Sequence, residues 1–364
     1  MAVDDEIRPG WPAVDAETER QLVAFLEEQG VDPNAVADAI REEGLWEVTT
    51  ETLLATSDDL TADELAERSG LTPDQLARVL RALGLRDDSY STEDVVTATA
   101  GAEMFKLFGN EDAALRLLRV VGSSIRRVAD ASVAAYIATV EEPLVTEDAP
   151  VIAHARAQAV SIDGARRLAE GFPRLFTRHL RDVINRGRAA RLYTGDYTTS
   201  RLAVGFVDLV GFSSLSQELT PAGLWNLLDE FEDQSFETVA EHGGQLVKHI
   251  GDEIMFVVLE ADAACKIALS LMDAFREQEA TVTPRGGLAT GDLLTRDGDY
   301  YGVEVNLAAR LADIAVPREI LVSADAKRLA EKDDADHAFA FEPAGRRALK
   351  GFDVPVEVFS LSRG

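Results

Sequence analysis

At Arg201 the hydrophobic pattern of this chain changes period, and that change dictates two unlike halves. Before it, apolar residues recur at helical spacing and the runs end at glycine. After it, Arg201 to Asp208 (RLAVGFVD) forms a continuous apolar run closed by a carboxylate. Such a run suits a strand buried on both faces, whereas the earlier spacing suits amphipathic helices. At 364 residues the chain has room for two domains. We therefore expect an all-α N-terminal domain followed by an α+β C-terminal domain.

The helical half carries its own punctuation. Asp15 to Glu28 places Leu22, Phe25 and Leu26 on one face and stops at Gly30, and Asp32-Pro33 opens a helix with Val36 and Ile40 inward and Gly44 as its end. Thr61 to Glu64 has the capping-box pattern, and the helix it starts ends at Gly70. Thr72-Pro73 begins the next, with Leu76, Val79, Leu80 and Leu83 inward and Gly84 as the stop. Further helices are expected over 91–106, 111–139, 150–169 and 173–190, with no strand. The pair around Gly70 has a helix-turn-helix outline, and its second helix would offer Asp74, Gln75, Arg78 and Arg81 to a major groove. It sits in a strongly acidic region that opposes a phosphate backbone, so a structural helix pair is expected rather than a DNA reader.

Charge divides the chain into three. Residues 1–150 carry 12 basic and 32 acidic side chains (−20), 151–199 carry 9 and 4 (+5), and 200–364 carry 15 and 29 (−14). The total of −29 argues against a general affinity for nucleic acid or anionic membrane. No stretch approaches ~18 uncharged apolar residues, so no membrane span is expected. One cysteine, Cys265, excludes an internal disulfide framework or a zinc ribbon and suits a reducing compartment. The first six residues are acidic where a secretory leader would be basic and then apolar. Together these features predict a cytoplasmic protein. Cys265 is expected in the core, and Trp11, Trp46 and Trp225 as packing anchors.

In the second half, Thr220-Pro221 opens a helix to about Glu241, ended by Gly243-Gly244. Gln245–His249 and Glu253–Leu259 flank Gly251-Asp252 as a tight hairpin with an aspartate at its tip. A helix at about 260–279, a strand at 284–294, a glycine-bearing loop and a helix at about 303–313 follow, with later strands at 318–323, 337–345 and 354–361. The order βαββαβ with additions is ferredoxin-like. That fold would bring Asp208 and Asp252 together. Two hard oxygen ligands without His or Cys suit Mg²⁺ or Mn²⁺ rather than zinc.

Three segments then carry a resemblance. Phe206 to Ser213 (FVDLVGFS) resembles the first metal motif of class III nucleotidyl cyclases, and Lys248 to Glu253 (KHIGDE) resembles the second. Asp299 to Arg310 (DYYGVEVNLAAR) resembles the motif that carries their purine-reading Asp, ribose-positioning Asn and transition-state Arg. All three occur in the family's order across most of residues 200–360. The helical half further resembles the regulatory region of soluble actinobacterial adenylyl cyclases.

The resemblance implies a ferredoxin-like class III catalytic fold and an adenylyl cyclase that forms 3′,5′-cyclic AMP and pyrophosphate from ATP. It places Asp208, Leu209 and Asp252 at two Mg²⁺ or Mn²⁺ ions per site, and the backbone of Val210, Gly211 and Phe212 at the phosphates. Lys248 and Asp299 would read adenine, Asn306 would orient the ribose and Arg310 would stabilise the α-phosphate. Lys350 corresponds more loosely to a residue that reaches the terminal phosphates. Sites shared between subunits imply a homodimer. On this reading 1–150 is a helical regulatory domain, 151–199 a basic helical linker or switch, and 200–364 the catalytic domain. His154 and His179 lie in the linker as candidate regulatory groups, with protons or a small ligand at the helical half as the signal; their alternative is ordinary exposed histidine. Two other functions stay open: a helix-turn-helix regulator that senses nucleotide without turnover, and a cyclase for another nucleotide.

Overall fold

The computed structural model describes residues 16–36, 48–55, 60–85, 90–194, 199–216, 219–275, 282–333 and 337–364. Trp11, Ile40, Gly44 and Trp46 lie outside these residues. The chain divides into two compact units, Met1–Thr177 and Arg178–Gly364.

In the first unit, α1 (Ala16–Glu28) and α2 (Val48–Leu54) precede the capped pair α3 (Ala62–Ser69) and α4 (Pro73–Leu83). Both members of the pair have complete capping boxes, Thr61 with Glu64 and Thr72 with Gln75, and both end at a left-handed glycine, Gly70 and Gly84. Each box satisfies two amide donors that a helix start leaves open. Then come α5 (Asp94–Phe108), α6 (Glu111–Tyr136), a π-helical turn (Ile137–Glu141), α7 (Glu142–Thr146) and α8 (Val151–Thr194), whose residues from Arg178 on belong to the second unit. Leu65, Leu76, Val79, Ala98, Ala102 and Leu115 form one core of this unit. Leu22, Leu26, Val36, Val48, Val151 and Ala155 form another. One isolated antiparallel bridge, Leu60 with Tyr90, is the β-pairing described in this unit.

One expectation changes here, and the structural reading of the helix pair is in keeping with what is seen. The helices expected at 150–169 and 173–190 are one helix of 44 residues, α8, with Pro173 inside it. Proline deletes one N–H bond and crowds one carbonyl, a local cost that a long helix can bridge. Gln75 and Arg78 do not project as a groove reader would require. Gln75 donates to Glu111 Oε1 at 2.6 Å, and Arg78 pairs with Glu111 and with Asp112, so α4 is tied to the start of α6.

In the second unit, β1 (Thr199–Val210) leads through α9 (Phe212–Leu215) and α10 (Pro221–Glu241) to the hairpin β2 (Gln245–Ile250) and β3 (Glu253–Val258). After α11 (Ala261–Ala274) come β4 (Thr283–Arg296), β5 (Asp299–Tyr301), α12 (Val303–Ile314), β6 (Ile320–Ser323), α13 (Ala324–Asp333), β7 (Phe339–Arg347) and β8 (Val356–Arg363). The sheet order is β2-β3-β1-β4-β6-β8-β7, with β5 paired to β4. Its first four members have the ferredoxin-like arrangement. The loop expected after residue 294 contains β5, registered as Leu294 with Tyr301 and Arg296 with Asp299.

Both faces of the sheet are covered. Ala203, Val207, Ile254, Phe256 and Leu288 face a core shared with Phe231, Leu271 and Cys265 from the helices. Val204, Phe206, Met255, Val257 and Ala289 pack on Ala308 and Ala312 of α12. Gly287 permits that seat: a Cβ there would lie 2.1 Å from the Ala308 carbonyl oxygen. Trp225 is not a packing anchor; it is 57% exposed. It sits two residues before Leu227, which packs on the core, and so about 200° around the helix from it. Among the described residues, no helix is long and apolar enough to cross a membrane.

Candidate active site

Asp208 stands near the end of the central strand, and pairing decides its neighbours. It is opposite Glu253 on β3 and opposite Arg285 on β4, so all three side chains share one face. Arg285 Nε donates to Asp208 Oδ2 at 2.8 Å and its Nη2 lies 2.7 Å from the same oxygen, while Nη1 donates to the Asp313 carbonyl at 2.8 Å. Asp252 occupies the tight turn after Gly251, whose φ of 66° is the left-handed conformation the turn needs. The Leu209 N–H donates to the Asp252 carbonyl at 3.2 Å, which fastens that turn to the end of β1.

These groups surround a cavity of about 430 Å³, lined by Asp208, Leu209, Val210, Gly211, Asp252, Arg285 and their neighbours Glu253 and Asp313. The acids outnumber the cations. Burial, reinforced by Asp208 and Asp313, pushes Glu253 up to about 7. Burial, with Asp208 adding to it, raises Asp252, and Arg285 pulls both back down. Among the described residues no group of three or more His, Cys, Asp or Glu is arranged as a metal cage. Mg²⁺ and Mn²⁺ do not need one, because they take one or two carboxylates and complete their shells with water and phosphate oxygens. The donor set Asp208 and Asp252, in an open cavity with excess negative charge, fits such ions.

A second group is organised by a bulge. In β2, Leu246 pairs with Phe256 but Lys248 pairs with Met255, so Val247 is an extra residue. Without it, residues 245 and 248 would face opposite sides; with it, Gln245 and Lys248 both join the face of Val257 and Met255. There Lys248 Nζ meets Asp299 Oδ2 at 2.5 Å, and the Tyr300 N–H donates to Asp299 Oδ1 at 2.8 Å. Asn306 and Arg310 lie one turn apart on α12, away from the buried Ala308 and Ala312. Arg310 Nη1 donates to Asp313 Oδ2 at 2.6 Å.

Comparison with known proteins converges on one answer. The family described as Adenylate and Guanylate cyclase catalytic domain matches residues 196–363, and the one described as Adenylate cyclase regulatory domain matches residues 5–184. An uncharacterised protein of Mycobacterium tuberculosis is 34% identical over 354 residues, covering 93% of this chain and 89% of that protein. A protein of Streptomyces coelicolor named adenylate cyclase is 30% identical over 364 residues, 91% of each chain. The chain belongs to the class III adenylyl cyclase family. A Mycobacterium tuberculosis protein named pH-sensitive adenylate cyclase is 29% identical to this cyclase, over 94% of this chain and 88% of that one.

The cyclase's motif residues fall into separate groups. Asp208, Leu209, Val210, Gly211 and Asp252 line one cavity, and none of Lys248, Asp299, Asn306, Arg310 or Lys350 is among its lining residues. Phe212 packs its partly buried side chain against the core. Lys350 is exposed in the turn after the buried Leu349. His179 is exposed, but His154 is buried at 3% exposure in the helical unit, contrary to the ordinary exposed histidine weighed for it. Burial lowers its pKa, with Glu141 and the Ala149 backbone acting in the other direction.

Three charged residues lining the cavity were not singled out from sequence: the carboxylates Glu253 and Asp313 and the cation Arg285. Glu253 had a signal, being next to the hairpin aspartate. Arg285 had only its place at the head of an expected strand, because its contact with Asp208 spans 77 residues of chain.

Proposed function

We propose that this cyclase converts ATP to 3′,5′-cyclic AMP and pyrophosphate, using two Mg²⁺ or Mn²⁺ ions per site, at sites shared between two copies of the chain. The observation that carries this reading is the division of labour within one chain. A metal-suited carboxylate cavity has neither the Lys248–Asp299 pair nor Asn306 or Arg310 of α12 in its lining, and Arg310 meets it only through Asp313. A two-fold dimer would bring one chain's cavity to the other chain's pair and helix, twice.

Asp208 and Asp252 hold the ions, with Leu209 beside them. A divalent ion bound there supplies Lewis acidity toward the ribose 3′-hydroxyl and neutralises charge on the triphosphate. The 3′-oxygen gives up its proton to solvent and bonds to the α-phosphorus as the bond to pyrophosphate breaks. The backbone at Val210–Phe212 cradles phosphate oxygens, and Arg285 adds a fixed cation at the same cavity. Lys350 serves the terminal phosphates. Lys248 donates to adenine N1 and Asp299 accepts from its N6 amino group; guanine presents the opposite pattern and leaves both contacts mismatched. Asn306 orients the ribose, and Arg310 stabilises charge that develops on the α-phosphate.

In this reading residues 1–150 regulate and 151–199 transmit, with His154, His179 or a small ligand setting the state, in a cytoplasmic enzyme. Incubating the full chain with Mn²⁺ and each of four nucleoside triphosphates tests the chemistry. Cyclic AMP from ATP, absent without divalent ion, is the expected result. Binding without turnover would make the chain a nucleotide sensor, and another cyclic product would reassign the base contacts.

A further inference from the structure

We infer that Gln245 and Tyr300 are positioning residues for base selectivity, with Arg186 of the entering helix as their anchor; this rests on Lys248 and Asp299 reading the base. All these residues belong to the second unit. Gln245 Oε1 accepts from the Tyr300 hydroxyl at 3.4 Å and from Arg186 Nη2 at 3.1 Å. Both partners are donors there, so they fix the amide with its oxygen toward them and fill that oxygen's two acceptor sites. Tyr300 is half-buried against the sheet face that holds Leu293 and Met255, so its ring has little freedom of its own.

The contacts close a ring. Gln245 holds the Tyr300 side chain, the Tyr300 N–H holds Asp299 Oδ1, Asp299 Oδ2 holds Lys248, and Lys248 returns to Gln245 along the bulged strand. A carboxylate with both oxygens engaged cannot rotate without breaking one contact. Its acceptor lone pairs therefore keep one direction, which discrimination between an N6 donor and an O6 acceptor requires. Arg186 connects this ring to α8, eight residues before that helix ends. Neither Gln245 nor Tyr300 needs to touch the nucleotide for this role.

Gln245→Met and Tyr300→Phe remove the bond and keep most of the volume. Loss of one such hydrogen bond corresponds to about a 3- to 10-fold effect. Each variant is expected to raise the KM for ATP and lower the ATP-to-GTP ratio of kcat/KM by that factor, with kcat within about twofold. Gln245→Glu, which keeps an acceptor toward both donors, is expected to restore the ratio. Lys248→Ala and Asp299→Ala serve as the reference. If those two leave the ratio unmoved, the base-reading assignment fails and this inference with it. If they move it while Gln245→Met and Tyr300→Phe do not, the positioning role alone is wrong. A fall in kcat and melting temperature at constant ratio would likewise reduce the ring to a structural tie and overturn the inference.

Discussion

Replacing Gly287 with alanine should disable the enzyme without touching a reactive group. Gly287 lies on β4 under α12, and an added Cβ would stand 2.1 Å from the Ala308 carbonyl oxygen, 2.4 Å from the Ala312 nitrogen and 2.8 Å from the Leu311 Cβ. Two of these atoms are helix backbone, which cannot rotate aside as a side-chain tip can. The helix must withdraw by about 1 Å to restore van der Waals contact, and Asn306 and Arg310 ride on it. Overpacking of this kind costs about 1–3 kcal/mol, or a melting-temperature drop of about 2–12 °C in a unit this size. A misplacement of about 1 Å at reacting groups costs about 100-fold in rate. Gly286→Ala is the control, since its new carbon meets the Phe206 carbonyl oxygen at 3.2 Å and otherwise only side-chain carbons. The assay is the initial rate of cyclic AMP formation at saturating Mn²⁺ and ATP, beside a thermal melt followed by circular dichroism. A folded Gly287→Ala enzyme within about threefold of the parent rate would refute the argument that the seat of this helix sets catalytic geometry.

If the proposed metal role holds, Asp208→Asn and Asp252→Asn should each lower turnover by at least about 1,000-fold while leaving the proposed dimer intact in sedimentation. Retained turnover would end the metal assignment. Mixing inactive Asp208→Ala with inactive Arg310→Ala should recover activity, since the mixed dimer has one intact site; no recovery would argue against sites shared between chains. In the helical unit, burial lowers the pKa of His154 from 6.5, so below about pH 6.5 the unfolded chain takes up a proton that the folded chain resists. Stability should therefore fall from about pH 6.5 down to the folded-state pKa, and His154→Gln should fall less between pH 7.5 and 5.5; equal slopes in thermal melts would remove His154 from any acid response. Arg78→Ala should cost no more than about 1 kcal/mol, because its pairs with Glu111 and Asp112 are partly exposed, and a larger loss in urea titration would show the α4–α6 tie to be stronger than surface pairs are.

What the sequence determined by itself is local. The capping boxes at Thr61 and Thr72, the stops at Gly70 and Gly84, the strand ending near Asp208 and the hairpin carrying Asp252 each depend on residues a few positions apart. Their physical causes, helix-end hydrogen bonding and side-chain period, act over that same distance. The family resemblance implied that Lys248, Asp299, Asn306 and Arg310 work with the two aspartates, whereas within one chain none of the four lines the aspartates' cavity. Tertiary structure decided the rest. Arg285 reaches Asp208 only because β4 pairs with β1 in one register, and a one-residue slip would send it to the other face. The extra residue at Val247 turns Gln245 to the side of Lys248, which no alternation rule would place there. His154 became a buried group, Trp225 an exposed one, and Pro173 stayed inside a single helix. Burial, register and bulges are settled by partners tens of residues away, whose contact energies outweigh the propensities of any short window.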